Sequence, residues 1–293
     1  MPDLPLLRSY LYAPGASERI LGKVLDTSAD AIVLDLEDSV APGRKVEARE
    51  RVVDFLTANA DAGGAELHVR VNTGRHGFDG DDVTDVVMPG LDAIRVPKCE
   101  DPRTLRLLDT ILTNLERERD IPRGHIRLYP LLESASGVHR AGDLAQSPRV
   151  ARLCFGAADF LADIGGRDSG HGQATLYARS RMVLASRVAG IGPPVDSVHT
   201  RLDDPEGLRE GAVLARDLGF SGKSVIHPDQ LDVVHDVFTP SEDEVAWAKA
   251  VVESFAASQA AGEAALALDG EFIDPAVVAR ARGVLVLAGE ADR

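Results

Sequence analysis

Two acidic side chains stand where apolar runs end. Ile126-Arg127-Leu128-Tyr129-Pro130-Leu131-Leu132 leads directly into Glu133, and Val150-Ala151-Arg152-Leu153-Cys154-Phe155 leads through Gly156 to Asp159. Short apolar runs bounded by turn residues predict buried strands. A carboxylate emerging from a buried strand is costly unless something pairs with it. Two of them, on consecutive strands with a helix-length segment between, suggest a shared cation. Hard oxygen ligands favour Mg²⁺, which takes one or two protein carboxylates and keeps room for water and substrate. The alternative on the same spacing is that each acid caps the following helix or pairs with an arginine.

The elements that must position these acids recur along the chain. Further strands are predicted at Arg8–Tyr12, Ala31–Leu36, Leu67–Asn72, Ala93–Lys98, Val195–Val198 and Lys223–Pro228. Between them lie helix-like stretches: one from Ser17, a plausible N-cap, one over about residues 43–60, one after Asp101, one over Tyr177–Val188 and one over Pro205–Leu218. Eight strands alternating with helices predict an α/β fold, a (β/α)₈ TIM barrel over residues 1–240. A doubly wound open sheet is second choice, because no GxGxxG turn follows the first strand. From about Ser241 the alternation stops. A long helix through Trp247 and Phe255, a Gly-containing segment over Leu268–Asp274 and a helix over Pro275–Leu287 make residues 241–293 a C-terminal helical extension, read as an appendage.

A barrel puts the polar strand ends at one address, the C-terminal mouth. Tyr12, Glu37, Asp38, Arg70, Asn72, Lys98, Glu133, Asp159 and His227 all fall there. That convergence favours the cation over the capping alternative. Asp79, Asp81, Asp82 and Asp85 lack EF-hand order and a terminal glutamate, and read as a solvated loop.

Composition narrows the partners. The 293 residues carry 47 acidic against 32 basic side chains, a formal charge of -15, which argues against general nucleic-acid binding. It leaves open an anionic small molecule held by local arginines. Cys99 and Cys154 form no CxxC or His/Cys cluster and read as reduced packing residues. No basic-then-apolar leader and no membrane-length apolar run are present, so a cytoplasmic location without membrane contact is expected.

The motifs, taken in order, resemble a known family. They are Arg8-Ser9-x-Leu11-Tyr12-x-Pro14-Gly15, Leu34-Asp35-Leu36-Glu37-Asp38-Ser39-Val40, Arg70-Val71-Asn72, Val96-Pro97-Lys98, Leu132-Glu133-Ser134, Gly156-Ala157-Ala158-Asp159-Phe160 and Gly222-Lys223-Ser224-Val225-Ile226-His227-Pro228. Together they resemble the citrate lyase β-subunit and malyl-CoA lyase branch of the HpcH/HpaI aldolases. The resemblance implies a Mg²⁺-dependent TIM-barrel lyase that makes or breaks carbon–carbon bonds in 3-hydroxyacyl-CoA thioesters, as a homotrimer or hexamer. It implies Glu133 and Asp159 as metal ligands, Glu133 also facing substrate, and Arg70 as the clamp on an oxo-acid carboxylate. It places Tyr12 and Lys23 near substrate and CoA, and Ala158, Ile226 and His227 at CoA contacts. Asp274 matches a lid aspartate that reaches into a neighbouring subunit and transfers a proton. Ser17 stands where some malyl-CoA lyases carry a further substrate arginine, so CoA contacts there are not carried over.

The chemistry fits those residue types. Mg²⁺ chelated by a carboxylate and its neighbouring carbonyl acts as a Lewis acid, an arginine can clamp the carboxylate in a bidentate fork, and an aspartate can carry a proton to the thioester carbon. Glu37 and Asp38 are expected to hold metal-bound water, orient Arg70 or Arg8, or cap the next helix, with a supporting role favoured. Lys98 either neutralises the acidic mouth or touches phosphate. Asp274 before Pro275 could equally be an N-cap, and His227 a packed loop histidine. The leading expectation is a lyase acting on malyl-CoA or citramalyl-CoA, giving acetyl-CoA plus glyoxylate or pyruvate. The alternatives are a malyl-CoA-type thioesterase, a citrate lyase β-type subunit working on a carrier-bound citryl group, and a catalytically silent assembly subunit.

Overall fold

The structure is a computed structural model that describes residues 6–60, 63–167, 172–260, 266–268 and 270–290. Eight parallel strands close into a barrel in sequence order. Strand β1 is Ser9–Pro14, followed by helix α1 (Glu18–Val24); then β2 (Ala31–Asp35), α2 (Lys45–Ala58), β3 (Glu66–Arg70), α3 (Gly80–Val86), β4 (Ala93–Val96) and α4 (Pro102–Glu118). The second half is β5 (Arg127–Leu132), α5 (Ala135–His139), α6 (Ala141–Ala145), β6 (Cys154–Phe155), α7 (Ala157–Ile164), α8 (Gln173–Ala189), β7 (Val195–Asp196), α9 (Pro205–Leu218), β8 (Gly222–Val225) and α10 (Leu231–Phe238). Pairing of β1 with β8 through Ser9↔Lys223 and Leu11↔Val225 closes the ring.

The strands form because they bury both faces. Ile32, Leu34, Val69, Ile94, Val96 and Leu128 are buried, as are Tyr10, Ala31, Val33, Ala93, Tyr129 and Cys154 on the alternate positions. The second set packs together inside the barrel. Helix α4 shows how the outer layer is specified. Asp101 caps it by accepting from the Arg103 N–H at 2.9 Å, Pro102 opens it, and Leu105, Leu108, Leu112 and Leu115 bury one face. Each such leucine is worth about 1.5–3 kcal/mol.

The structure departs from the sequence expectations in three places. Asp79, Asp81, Asp82 and Asp85 belong to α3 and its cap, not to a solvated loop: Asp79 caps the helix by accepting from the Asp81 and Asp82 N–H groups, and Asp82 is buried under hydrogen bonds from the Asn72 N–H and Nδ2. The sixth strand is regular only over two residues. Arg149 takes left-handed backbone, φ 62°, so the segment meets β5 through a single Leu128↔Val150 bridge before β6 begins. The helix expected from residue 43 opens as a 3₁₀ turn over Pro42–Arg44 before α2. Ser17 does occupy the N-cap position of α1, yet its side chain makes no capping bond. Cys99 and Cys154 are free and buried.

The chain divides into two compact units, Met1–His235 and Asp236–Arg293. The second holds α11 (Glu242–Ala260), an antiparallel hairpin of β9 (Leu266–Leu268) with β10 (Glu271–Ile273), and α12 (Pro275–Leu287). Ala248, Val251, Ile273, Val278, Ala281 and Leu285 form its own core. Among the described residues, no helix is long and apolar enough to cross a membrane.

Candidate active site

Strand register builds the mouth. β2 pairs with β3 so that Asp35 lies opposite Arg70, at the C-terminal end of both strands. Paired residues on neighbouring strands are about 4.8 Å apart, and the side chains close that gap. Arg70 Nε donates to Asp35 Oδ1 at 2.6 Å and Nη2 to Oδ2 at 2.7 Å, a side-on fork. Nη1 donates to Asp38 Oδ2 at 3.4 Å and lies 3.0 Å from Glu37 Oε2, an ion pair off the hydrogen-bond line. The Tyr12 ring supports the guanidinium from beneath, with Cζ 5.0 Å from its centroid.

Asp35 went unmarked as a site residue in the sequence, although it anchors the arrangement. It is buried, and burial works to raise its pKa. The Arg70 hydrogen bonds and charge, with the Ser39 and Glu37 N–H groups, outweigh that and hold it below the usual carboxylate range. The side-on fork foreseen for a substrate carboxylate is therefore taken by Asp35. Nη1 is left to the buried Glu37 and the exposed Asp38.

Glu133 follows β5 and Asp159 lies in the first turn of α7. Neither caps a helix. Ser134 caps α5 by accepting from the Gly137 N–H, and the N-cap of α7 is Gly156. The ion pairs of Arg70 go to Asp35, Glu37 and Asp38 rather than to either acid, though its charge is felt at Glu133. The capping alternative for the pair is thereby removed. Glu133 is buried, with Oε1 accepting from the Lys98 main-chain N–H at 2.6 Å. Its carboxyl is pushed up to about 7, first by burial and then by the charges of Glu37 and Asp159, against the pull of the Lys98 N–H and Arg70. Gly156 makes room for it, since a Cβ there would lie 2.5 Å from Glu133 Oε2.

Glu37 and Lys98 join the two halves. Glu37 Oε1 accepts from Lys98 Nζ at 2.7 Å, and burial raises the Glu37 pKa despite Arg70 and Lys98. Five carboxylates, Asp35, Glu37, Asp38, Glu133 and Asp159, thus stand against Arg70 and Lys98. An oxygen-rich mouth whose buried carboxyl is destabilised by its acidic neighbours suits a hard divalent cation. Glu133 and Asp159 are the two that could hold it.

The remaining expected residues make local contacts of their own. Lys23 is exposed in the last turn of α1. Ala158 is exposed in the first turn of α7, beside Asp159. Ile226 gives its N–H to Gln230 Oε1 at 2.9 Å and keeps its side chain partly open. His227 accepts from the Asp229 N–H through Nδ1 at 3.2 Å and caps a 3₁₀ turn. Asp274 caps α12 in the second unit, accepting from the Ala276 and Val277 N–H groups. Below the mouth lies a residue the sequence did not single out, Arg95. It is fully buried, donates to the Tyr12 hydroxyl at 3.2 Å and faces the rings of Tyr10, Tyr12 and Tyr129. Its place in the apolar run Ala93–Val96 was the signal available.

Comparison with known proteins gives this geometry its context. A family model described as HpcH/HpaI aldolase/citrate lyase matches residues 8–228. A citrate lyase subunit beta-like protein of Deinococcus radiodurans is 36% identical over 283 residues, spanning 96% of each chain. An L-malyl-CoA/beta-methylmalyl-CoA lyase of Rhodobacter capsulatus is 33% identical, spanning 96% of this chain and 94% of its own. The crystal structure of protein CitE from Mycobacterium tuberculosis, in complex with magnesium, acetoacetate and coenzyme A, matches with a TM-score of 0.77 at 28% identity. That match covers 97% of this chain and 99% of that one.

Proposed function

The chain belongs to the HpcH/HpaI aldolase/citrate lyase family, and on that premise we propose a Mg²⁺-dependent carbon–carbon lyase acting on a 3-hydroxyacyl-CoA thioester. Malyl-CoA or citramalyl-CoA would be cleaved to, or formed from, acetyl-CoA and glyoxylate or pyruvate. The observation that carries this reading is the Glu133–Asp159 pair. Neither acid caps a helix, and the charges of Asp159 and Arg70 both act on the buried Glu133.

Glu133 and Asp159 would hold the ion. When bound, it supplies Lewis-acid polarisation of the oxo-acid carbonyl. Arg70, fixed by Asp35 on its Nε/Nη2 side, offers Nη1 to the oxo-acid carboxylate, and the exposed Asp38 yields that contact. Glu37 keeps the guanidinium in plane, with Tyr12 beneath it. In the cleavage direction the substrate hydroxyl gives its proton to water, and the bond from the carbinol carbon to the methylene breaks with its electrons passing to the thioester as an enolate. The methylene carbon then takes up a proton to become the acetyl methyl. We assign that proton to Asp274, acting from the C-terminal extension of a neighbouring copy in a homo-oligomer, with CoA running past Ala158, Ile226 and His227.

The test is a paired assay on (S)-malyl-CoA and citramalyl-CoA, with Mg²⁺ and with EDTA, reading released oxo-acid and free thiol separately. Oxo-acid without thiol, lost in EDTA, is the expected result. Thiol without oxo-acid would replace the lyase by a thioesterase. Silence in both channels would turn the search to carrier-bound substrates.

A further inference from the structure

Lys98 touches both halves of the site, and does so in a backbone conformation that ordinary residues avoid. Its φ is 48°, in the left-handed region that an L-residue occupies only at a cost in free energy. The surrounding ladder explains the turn. β4 pairs with β5 as far as Val96↔Pro130, and the next bond is from the Cys99 N–H to Leu131 O at 3.0 Å. An unbroken register would bring the Lys98 N–H to Leu131 O, so the β4 side holds one extra residue, within the Pro97-Lys98 turn. Pro97 has no N–H to offer, and the Lys98 N–H, turned off the ladder, reaches Glu133 Oε1 at 2.6 Å. The ammonium of the same residue reaches Glu37 Oε1 at 2.7 Å.

We propose that Lys98 is a positioning residue acting from its two ends: the main-chain N–H sets the Glu133 carboxylate for a divalent cation, and the ammonium sets Glu37 against Arg70 for an oxo-acid carboxylate. This rests on the lyase reading of the site. Each end has a definite job. Glu133 is confined by Gly156 on its Oε2 side, so the Lys98 N–H fixes the rotation of its carboxylate plane. Glu37 approaches Arg70 only through Oε2, and the ammonium on Oε1 keeps that oxygen turned towards the guanidinium. The ends are separable by substitution. Any side chain that tolerates left-handed backbone keeps the N–H in place, whereas a β-branched residue does not tolerate it.

The experiment compares wild type with Lys98→Met, Lys98→Gly and Lys98→Val. Mn²⁺ binding is measured by titration calorimetry, glyoxylate binding in the presence of Mn²⁺, and thermal unfolding checks that each variant is folded. Lys98→Met and Lys98→Gly are expected to bind Mn²⁺ within about threefold of wild type but glyoxylate about tenfold or more weakly. Lys98→Val, which lacks the ammonium equally, should in addition lose about tenfold in Mn²⁺ affinity. A residue that only neutralised the mouth would make Met and Val alike towards Mn²⁺, and that result overturns the proposal. So does wild-type glyoxylate affinity in Lys98→Met. If wild type itself binds neither probe, the lyase reading falls and this role with it. If wild type binds both and the variants fail to separate, only the role of Lys98 falls.

Discussion

At Gly156 a single methyl group should disable the proposed cation site. A Cβ there would lie 2.5 Å from Glu133 Oε2, 2.6 Å from Glu133 Cβ and 3.3 Å from its Cδ, where carbon contacts settle at about 3.5–4.0 Å. The backbone at Gly156, φ -109° and ψ 86°, is not in the left-handed region. The effect of alanine therefore comes through the side chain it displaces. Relief needs a shift of about 1 Å between Glu133 and the start of α7, the turn that also carries Asp159. Overpacking of this size costs about 1–3 kcal/mol, or a fall in melting temperature of about 2–10 °C. The site should suffer more than the fold. Mg²⁺ holds its oxygens near 2.0–2.1 Å in a nearly ideal octahedron, as a rule of about ±0.2 Å, and a misplacement of about 1 Å costs about a hundredfold in rate. Gly156→Ala is thus expected to lower Mn²⁺ affinity at least about tenfold and turnover about a hundredfold. Gly22→Ala is the control. It lies inside α1 with nothing within 4 Å of the new Cβ, and should stabilise by about 0.5–1 kcal/mol with cation binding untouched. Wild-type Mn²⁺ affinity in Gly156→Ala would refute Glu133 as a ligand.

Three further predictions follow from the same contacts. Because burial and its acidic neighbours push the Glu133 carboxyl up to about 7, the folded chain keeps a proton that the unfolded chain has lost above about pH 4.5. The metal-free protein should therefore lose up to about 3 kcal/mol as pH rises from about 4.5 through 7; urea unfolding in EDTA checks this, and an unchanged slope in Glu133→Gln would contradict it. Asp35→Asn removes the side-on charge partner of a buried Arg70 and should cost about 3 kcal/mol; a shift below about 1 kcal/mol would mean that Glu37 and Asp38 suffice. Asp274→Asn keeps the capping oxygen for Ala276 and Val277 while Asp274→Ala loses it at about 1 kcal/mol, yet both should abolish turnover, and an active Asp274→Asn would leave that residue a cap alone.

Strands were legible wherever apolar residues filled both faces over four or more positions, as in Ala31–Asp35 and Arg127–Leu132. At β6 and β7 the strands were legible but their extent was not: each is two residues long, paired to its neighbours, where Val150–Phe155 and Val195–Val198 were expected. The motif acids were visible from their type and place. What they do to one another was not, because that depends on register. Asp35 looks like the last residue of an apolar strand until pairing sets it opposite Arg70. The role of Lys98 is equally hidden, since half of it belongs to a main-chain N–H whose direction is a matter of φ. Asp79 and Asp82 misled for a related reason: an acid cluster looks solvated unless one member caps a helix and another is buried beneath Asn72.

The charge at the mouth also dictates an order of events. Asp35, Glu37, Asp38, Glu133 and Asp159 outnumber Arg70 and Lys98, and the Arg70 fork is already committed to Asp35. An oxo-acid anion arriving first would meet a surplus of like charge with only the Nη1 edge to hold it. Arg95 does not remedy this, because it is sealed in the barrel beneath Tyr12 with its charge spread against three aromatic rings. A divalent ion changes the balance by neutralising two carboxylates and presenting a positive charge beside Arg70. The cation should therefore bind first and the oxo-acid second. Glyoxylate or pyruvate should show no saturable binding in EDTA, Mn²⁺ should bind without either acid, and by reciprocity either acid should tighten Mn²⁺ binding. Binding of the oxo-acid with equal strength in EDTA and in Mn²⁺ would mean that Arg70 recognises the anion alone, and that the acids of the mouth serve something other than a cation.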